Sequence, residues 1–185
     1  MSVFSNPASS AADDAAAYVA ALLDLLGDAD PLRIFRDTPD VVAAQIAAMP
    51  DALLTVPEAP AKWSMRDVVQ HLADSELVGG WRLRVILAQD RPAITGYDQD
   101  LWADRLHYRD AGVRDALEQF TMLRRANVRL WERLTPEDLL RAGVHSERGE
   151  ERLGHLRKLY AAHDLVHRRQ LERIRTTLTG RVTPA

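Results

Sequence analysis

The chain has no cysteine among its 185 residues. That absence excludes disulfides, thiolate-ligated zinc, iron–sulfur clusters and a cysteine nucleophile. It is compatible with a cytoplasmic location, where thiols stay reduced and structural disulfides are rare. A basic excess is missing too. The 24 Lys and Arg against 27 Asp and Glu give a formal net charge of −3, which is not the electrostatic footprint of a nucleic-acid binder. No apolar run approaches the roughly 20 residues that span a bilayer. The opening Met1-Ser-Val-Phe-Ser-Asn-Pro7 lacks the basic segment and apolar core of a secretory leader. The expectation is a soluble cytoplasmic protein with neither a nucleic-acid nor a membrane partner. Sustained strand-type alternation is also lacking, whereas every long segment fits helical spacing.

Helix signals recur along the chain. The Ala- and Leu-rich residues 11–26 place Tyr18, Leu22 and Leu25 on one stripe, and Gly27 is positioned to end that helix. Thr38-Pro39-Asp40 supplies a cap, a proline for the first helical position and an acid in the first turn, so a second helix is expected to open there. Pro50, Pro57 and Pro60 make residues 50–62 a loop. Ser64 and Asp67 form a capping pair for a third helix running to about Gln89, with Gly79-Gly80 marking a close approach of a neighbouring backbone. A short helix fits residues 99–105, and a long one about 111–134 follows the period of Val113, Leu117, Phe120, Asn127, Trp131 and Leu134. Thr135-Pro136-Glu137-Asp138 starts a short helix to about Arg141, residues 143–149 form a loop, and the last helix covers about 151–178. The expected fold is all-α, an antiparallel four-helix bundle with short additional helices. It occupies residues 11–180 as one domain, between a flexible segment 1–10 and a tail 181–185.

His163 and His167 stand four residues apart on the apolar stripe of the last helix, between Leu156 and Tyr160 on one side and Leu171 and Ile174 on the other. At that spacing both rings leave one face, the geometry by which a single helix gives two nitrogens to one metal ion. With six histidines in the chain, chance alone could produce the spacing, so placement carries the argument. An imidazole on a core-facing stripe must find a partner or suffer desolvation, and two stacked there favour a shared cation. Two ligands leave such a site incomplete. His107 lies in an irregular stretch, His145 in a loop and His155 one residue off the core stripe, so all three read as surface. His71 lies within the Ser64-capped helix, with Asp74 and Ser75 at i+3 and i+4 able to orient its second nitrogen.

Other residues have two readings. His163-Asp164-Leu-Val-His167 mimics the zinc-protease pattern H-E-x-x-H. Aspartate is a methylene shorter than the glutamate base, however, and no histidine follows His167 to complete that site. Glu76 could be a general base near a metal or a helix-surface acid, and reads better as a supporting residue off the face of His71. Asp164 could orient a ligand imidazole, and reads better as the i+4 partner of Arg168. Arg124, Arg125 and Arg129 are balanced by nearby acids, as on a solvated helix face. Arg124 also interrupts an apolar stripe, which points to a structural salt bridge with another helix more than to an anionic substrate. Trp63, Trp81, Trp102 and Trp131 read mostly as core or interface residues, and homodimerisation through apolar helix faces is an expectation.

Three runs in order then carry a resemblance. Lys62-Trp63-Ser64, Val69-Gln70-His71-Leu72-Ala73-Asp74-Ser75-Glu76 and Arg82-Leu83-Arg84 resemble the first signature of the DinB/YfiT-like superfamily. His145, Gly149 and Ala162-His163-Asp164-Leu-Val-His167-Arg-Arg-Gln170 resemble its second. Between them, Asp90-Arg-Pro92, Tyr97-Asp98-Gln99 and Trp102-Ala103 fit the subgroup of metal-dependent hydrolases. The resemblance covers about residues 18–178. It implies a four-helix bundle holding a divalent cation, usually nickel or zinc, through three histidines, which by position are His71, His163 and His167. Three neutral imidazoles with a coordination position left open are the arrangement of a catalytic rather than a structural site. The implied function is metal-dependent hydrolysis, or thiol-dependent transfer, on a small molecule. With no cysteine in the chain, a low-molecular-weight thiol would be a cosubstrate. The alternative is a bundle that binds metal or ligand without turnover, because within such a family fold and metal transfer better than reaction.

Overall fold

The computed structural model describes residues 12–182, so the segment 1–10 expected to be flexible and most of the expected tail lie outside the described residues. Helix α1 (Ala12–Leu26) ends at Gly27, whose φ of +52° is a conformation that glycine adopts without strain. Helix α2 (Pro31–Ala47) opens earlier than Thr38. Asp30 accepts from Leu32 N as its cap and Pro31 takes the first turn, so Thr38-Pro39 lies inside the helix. An interior proline leaves the carbonyl four residues back without its amide donor. That carbonyl belongs to Phe35, and Arg124 Nη1 donates to it at 3.2 Å. Thr38 turns its hydroxyl onto Ile34 O at 2.7 Å. A tertiary donor replaces the missing amide, and the helix continues.

Helix α3 (Met65–Ala88) comes after a connection that contains the 3₁₀ turn Asp51–Leu53. Its capping box forms as expected. Ser64 Oγ accepts from Asp67 N, and the Asp67 carboxylate accepts from Ser64 N at 2.9 Å. Such a cap contributes about 0.5–2 kcal/mol. Asp98 caps α4 (Gln99–Arg105), and the two remaining helices are α5 (Val113–Trp131) and α6 (Leu153–Val182). α3 packs on α5, α5 on α2, α2 on α6 and α6 on α3, closing a ring of four, while α1 lies against α6. Consecutive long helices α2 and α3 therefore sit across the ring rather than side by side. Among the described residues no helix is long and apolar enough to cross a membrane.

The connections depart further from expectation. Residues 143–149, read as a loop, contribute to a small sheet. Strand β1 (Ala93–Ile94) pairs parallel with β2 (Ala142–His145), which pairs antiparallel with β3 (Gly149–Arg152). Strands this short leave no period-2 pattern long enough to read. Because β3 takes residues up to Arg152, α6 starts at Leu153. Thr135 and Asp138 exchange cap hydrogen bonds, but they open only the 3₁₀ turn Asp138–Leu140. Of the tryptophans, Trp131 is buried in the core, whereas Trp81 is 65% exposed on α3.

Two apolar clusters fill the bundle. One gathers Phe35, Leu83, Trp131 and Leu156, and the other Val42, Val68, Phe120 and Ile174. Between them, each helix of the ring buries polar side chains: Thr38 on α2, His71 and Glu76 on α3, Arg124 on α5, and Asp164 and His167 on α6. The core is split by a polar layer.

Candidate metal centre

His71 enters that layer from α3, and His163 and His167 enter it from successive turns of α6. His163 Nε2 lies 3.0 Å from His71 Nε2 and 3.1 Å from His167 Nε2. His71 and His167 are buried and His163 is half-buried. Nitrogens held about 2.0–2.1 Å from one ion stand about 2.8–3.4 Å apart, across octahedral to tetrahedral angles. The observed spacing falls in that range. Hydrogen bonding among the rings does not account for it, since each neutral imidazole carries one N–H and His163 Nε2 has one in-plane lone pair for two neighbours.

Protonation agrees with this geometry. His167 Nδ1 lies 2.7 Å from Gln170 Oε1, an acceptor, so His167 carries its proton on Nδ1 and presents Nε2 as a lone pair. Burial, and then the neighbouring His163, push His167 down to about 3. Burial followed by Arg124 takes His163 down to about 4. Burial, His167 and His163 in turn lower His71 well below the usual imidazole range. All three rings are neutral at pH 7, the form in which imidazole ligates, and as a donor set they fit a divalent cation.

The surroundings differ from the sequence reading at several points. Neither Asp74 nor Ser75 orients His71, whose Nδ1 has no partner among the described residues. Asp74 accepts from Tyr108 OH at 2.7 Å, and Ser75 hydrogen-bonds to Tyr97. Asp164 is not the partner of Arg168. It accepts from Arg124 Nη1 at 2.5 Å and Nη2 at 2.9 Å, while Arg168 donates across to Ile34 O and Thr38 Oγ1 on α2. Arg124 also donates from Nε to Glu76 at 2.8 Å, making the expected salt bridge to another helix. Only Arg125 and Arg129 occupy a solvated face. Glu76 is further held by Asn127 Nδ2 at 2.8 Å.

A sequence profile of the DinB superfamily matches residues 34–171, from α2 through the last turn of the histidine stripe. This chain belongs to the DinB superfamily. A protein of Bacillus mycoides is 29% identical over 147 residues, covering 80% of this chain and 84% of the relative. YfiT of Bacillus subtilis is 26% identical over 119 residues, covering 64% and 67%. Both carry the name "putative metal-dependent hydrolase". The solved structure of Bacillus subtilis YfiT superposes with a TM-score of 0.75 at 24% identity, over 81% of this chain and 86% of that one. It is described as having an unusual four-helix bundle topology, and the likeness establishes a shared fold. The matched DinB region contains His71, His163, His167 and the whole Glu76–Arg124–Asp164 network.

Beside His163 the DinB bundle opens a cavity of about 90 Å³, walled in part by Arg82, Tyr97, His145, Arg148 and Tyr160. His145 corrects an expectation: read as a surface residue of a loop, it is 2% exposed. Strand β2 alternates, turning Gly143 and His145 inward and Val144 out. Four residues of alternation are the only signal that could have found it. His107 is exposed and His155 half-buried, and neither joins the cluster. Gln170 was not read as a partner of His167, although its place three residues on puts it within reach of that ring.

Proposed function

We propose that this DinB-superfamily bundle holds a divalent metal ion, zinc or nickel, between His71, His163 and His167, and uses it in hydrolysis or group transfer on a small molecule. The observation that carries the reading is the convergence of three neutral Nε2 atoms at one point of a buried layer. An all-imidazole set suits either ion by donor type. A cation on three protein ligands retains an open position, where it lowers the pKa of water towards neutrality or accepts a thiolate. The names borne by the relatives support hydrolysis.

The protein's own contribution is positional. Gln170 keeps the His167 proton on Nδ1. Arg124 ties α5 to α3 through Glu76 and to α6 through Asp164, bracing the helices that carry the rings. Both carboxylates are committed to Arg124, so neither is free to act as the general base of H-E-x-x-H chemistry. The cavity at His163 gives a small molecule access to the cluster. Thiol-dependent transfer would use the same site, with the thiol as cosubstrate because the chain has no cysteine.

Metal analysis tests the reading. Full-length protein made without a polyhistidine tag, in medium replete with zinc and nickel, is expected to carry about one ion per chain, and His163→Ala far less. Substoichiometric metal in the wild type, unchanged by the substitution, would overturn it. Turnover of small esters or amides without added thiol assigns hydrolysis, and turnover only with a low-molecular-weight thiol assigns transfer.

A further inference from the structure

Two groups on the cavity wall are left unused by the metal reading. His145 Nδ1 accepts from Glu147 N at 3.1 Å, so the ring proton sits on Nε2. That Nε2 is buried and has no partner among the described residues. Buried N–H groups are almost always paired, and an unpaired one on a cavity wall calls for an acceptor brought by a ligand. Arg82, also on the wall, is 7% exposed. Its guanidinium donates to Tyr160 OH at 3.3 Å and to Thr95 O at 2.8 Å, both uncharged acceptors. Among the described residues Arg82 makes no ion pair, although a buried guanidinium ordinarily has a carboxylate beside it. Arg148 on the same wall shows the ordinary case, bonded to Glu151 at 2.6 and 3.0 Å.

We propose that Arg82 and His145 form the receptor for the carboxylate of a small-molecule substrate, whose reacting end lies towards His163. One unpaired positive charge and one uncommitted neutral donor match a single negative charge. A dianionic phosphate would meet the Glu147 carboxylate on the wall and that of Glu151 behind Arg148. Leu22, Leu156 and Leu159 supply apolar contact for the carbon skeleton of the acid. The proposal rests on the metal reading only for the direction in which the substrate points, because the receptor itself is built from protein donors.

Butyrate and inorganic phosphate serve as probes, titrated into the full chain and followed by backbone amide shifts in two-dimensional NMR. Each titration is run with chelator and again with one equivalent of zinc. The chelated wild type is expected to bind butyrate more tightly than phosphate. Arg82→Gln and His145→Phe each weaken butyrate about tenfold or more, the loss typical of a bond to a charged group, with zinc uptake unchanged. His145→Gln, which restores an amide donor, regains part of the affinity, and a folding defect would not produce that recovery. Butyrate binding that depends on Arg82 in a protein that takes up no zinc leaves the receptor standing while the metal reading falls. The proposal is overturned by equal butyrate affinity in wild type and both variants, by tighter binding of phosphate, or by no butyrate binding at all. Binding that needs zinc and survives Arg82→Gln also overturns it, since the anion then sits on the metal.

Discussion

Gln170 decides which nitrogen His167 shows to the cluster. Its Oε1 accepts from Nδ1 at 2.7 Å, and without that acceptor the imidazole could place its proton on Nε2 and lose the lone pair. Gln170→Leu keeps the bulk and removes the acceptor. It is expected to weaken zinc or nickel binding about 10–100-fold with all three histidines present, whereas Gln170→Glu retains the affinity. Competition against a chromophoric chelator measures the difference, and equal affinities in the three proteins would remove Gln170 from the site. At this scale the histidine pair is legible in the sequence because helical spacing fixes where both rings point. Gln170 is not, since a polar residue at i+3 faces a ligand or solvent with equal ease. Asp164 misleads for a related reason. Arg168 is its local partner at i+4, a pairing worth about 0.3–0.5 kcal/mol on an exposed helix. Arg124, 40 residues away, instead offers two charge-assisted bonds in a buried layer, and that stronger interaction wins.

Where α3 crosses α6, the fit depends on a missing side chain. A Cβ at Gly79 would lie 2.7 Å from Tyr160 Cε1 and 2.8 Å from Cζ. The ring has little room to retreat, because its hydroxyl accepts from Arg82 within the cavity wall. Gly→Ala in an open helix gains about 1 kcal/mol, whereas forcing extra volume into a packed contact costs about 1–3 kcal/mol. The second effect dominates, so Gly79→Ala is expected to lower stability by up to about 2 kcal/mol, read as a lower urea midpoint with an unchanged m-value. A raised midpoint would mean that the two helices separate freely. The Gly79-Gly80 pair was legible as a close approach, but its neighbours are the side chains of Tyr160 and Asn127 rather than a backbone. Long helices were legible because periodicity accumulates over many residues. The start of α2 was not, since Thr38-Pro39-Asp40 is a sound local cap and only Arg124, reaching in from α5, lets the helix run through the proline. The short sheet failed for want of length.

A core divided by a polar layer ties the stability of the whole molecule to pH and, under the proposed function, to metal. Burial pushes His163 and His145 down to about 4 and His167 down to about 3 in the folded protein, against an ordinary value of 6.5. Between those limits the unfolded chain binds more protons than the folded one, so stability falls as pH falls. Above 6.5 the histidines are neutral in both states and contribute no slope. Metal-free protein is therefore expected to keep a steady melting temperature from pH 8 to about 6.5 and to lose it progressively towards pH 4. Zinc held by the folded cluster alone, as proposed, would add about 2.7 kcal/mol at a free concentration 100 times its Kd. Because protons compete for the same nitrogens, that gain is present at pH 7 and closes as the solution is acidified. Melting curves recorded from pH 4 to 8, with chelator and with zinc, measure both effects at once. Curves that converge towards pH 4 place the ion on imidazoles. A zinc-dependent gap that stays constant down to pH 4 would instead require carboxylate ligands, and Glu76 and Asp164, already held by Arg124, could supply them only if the layer rearranged.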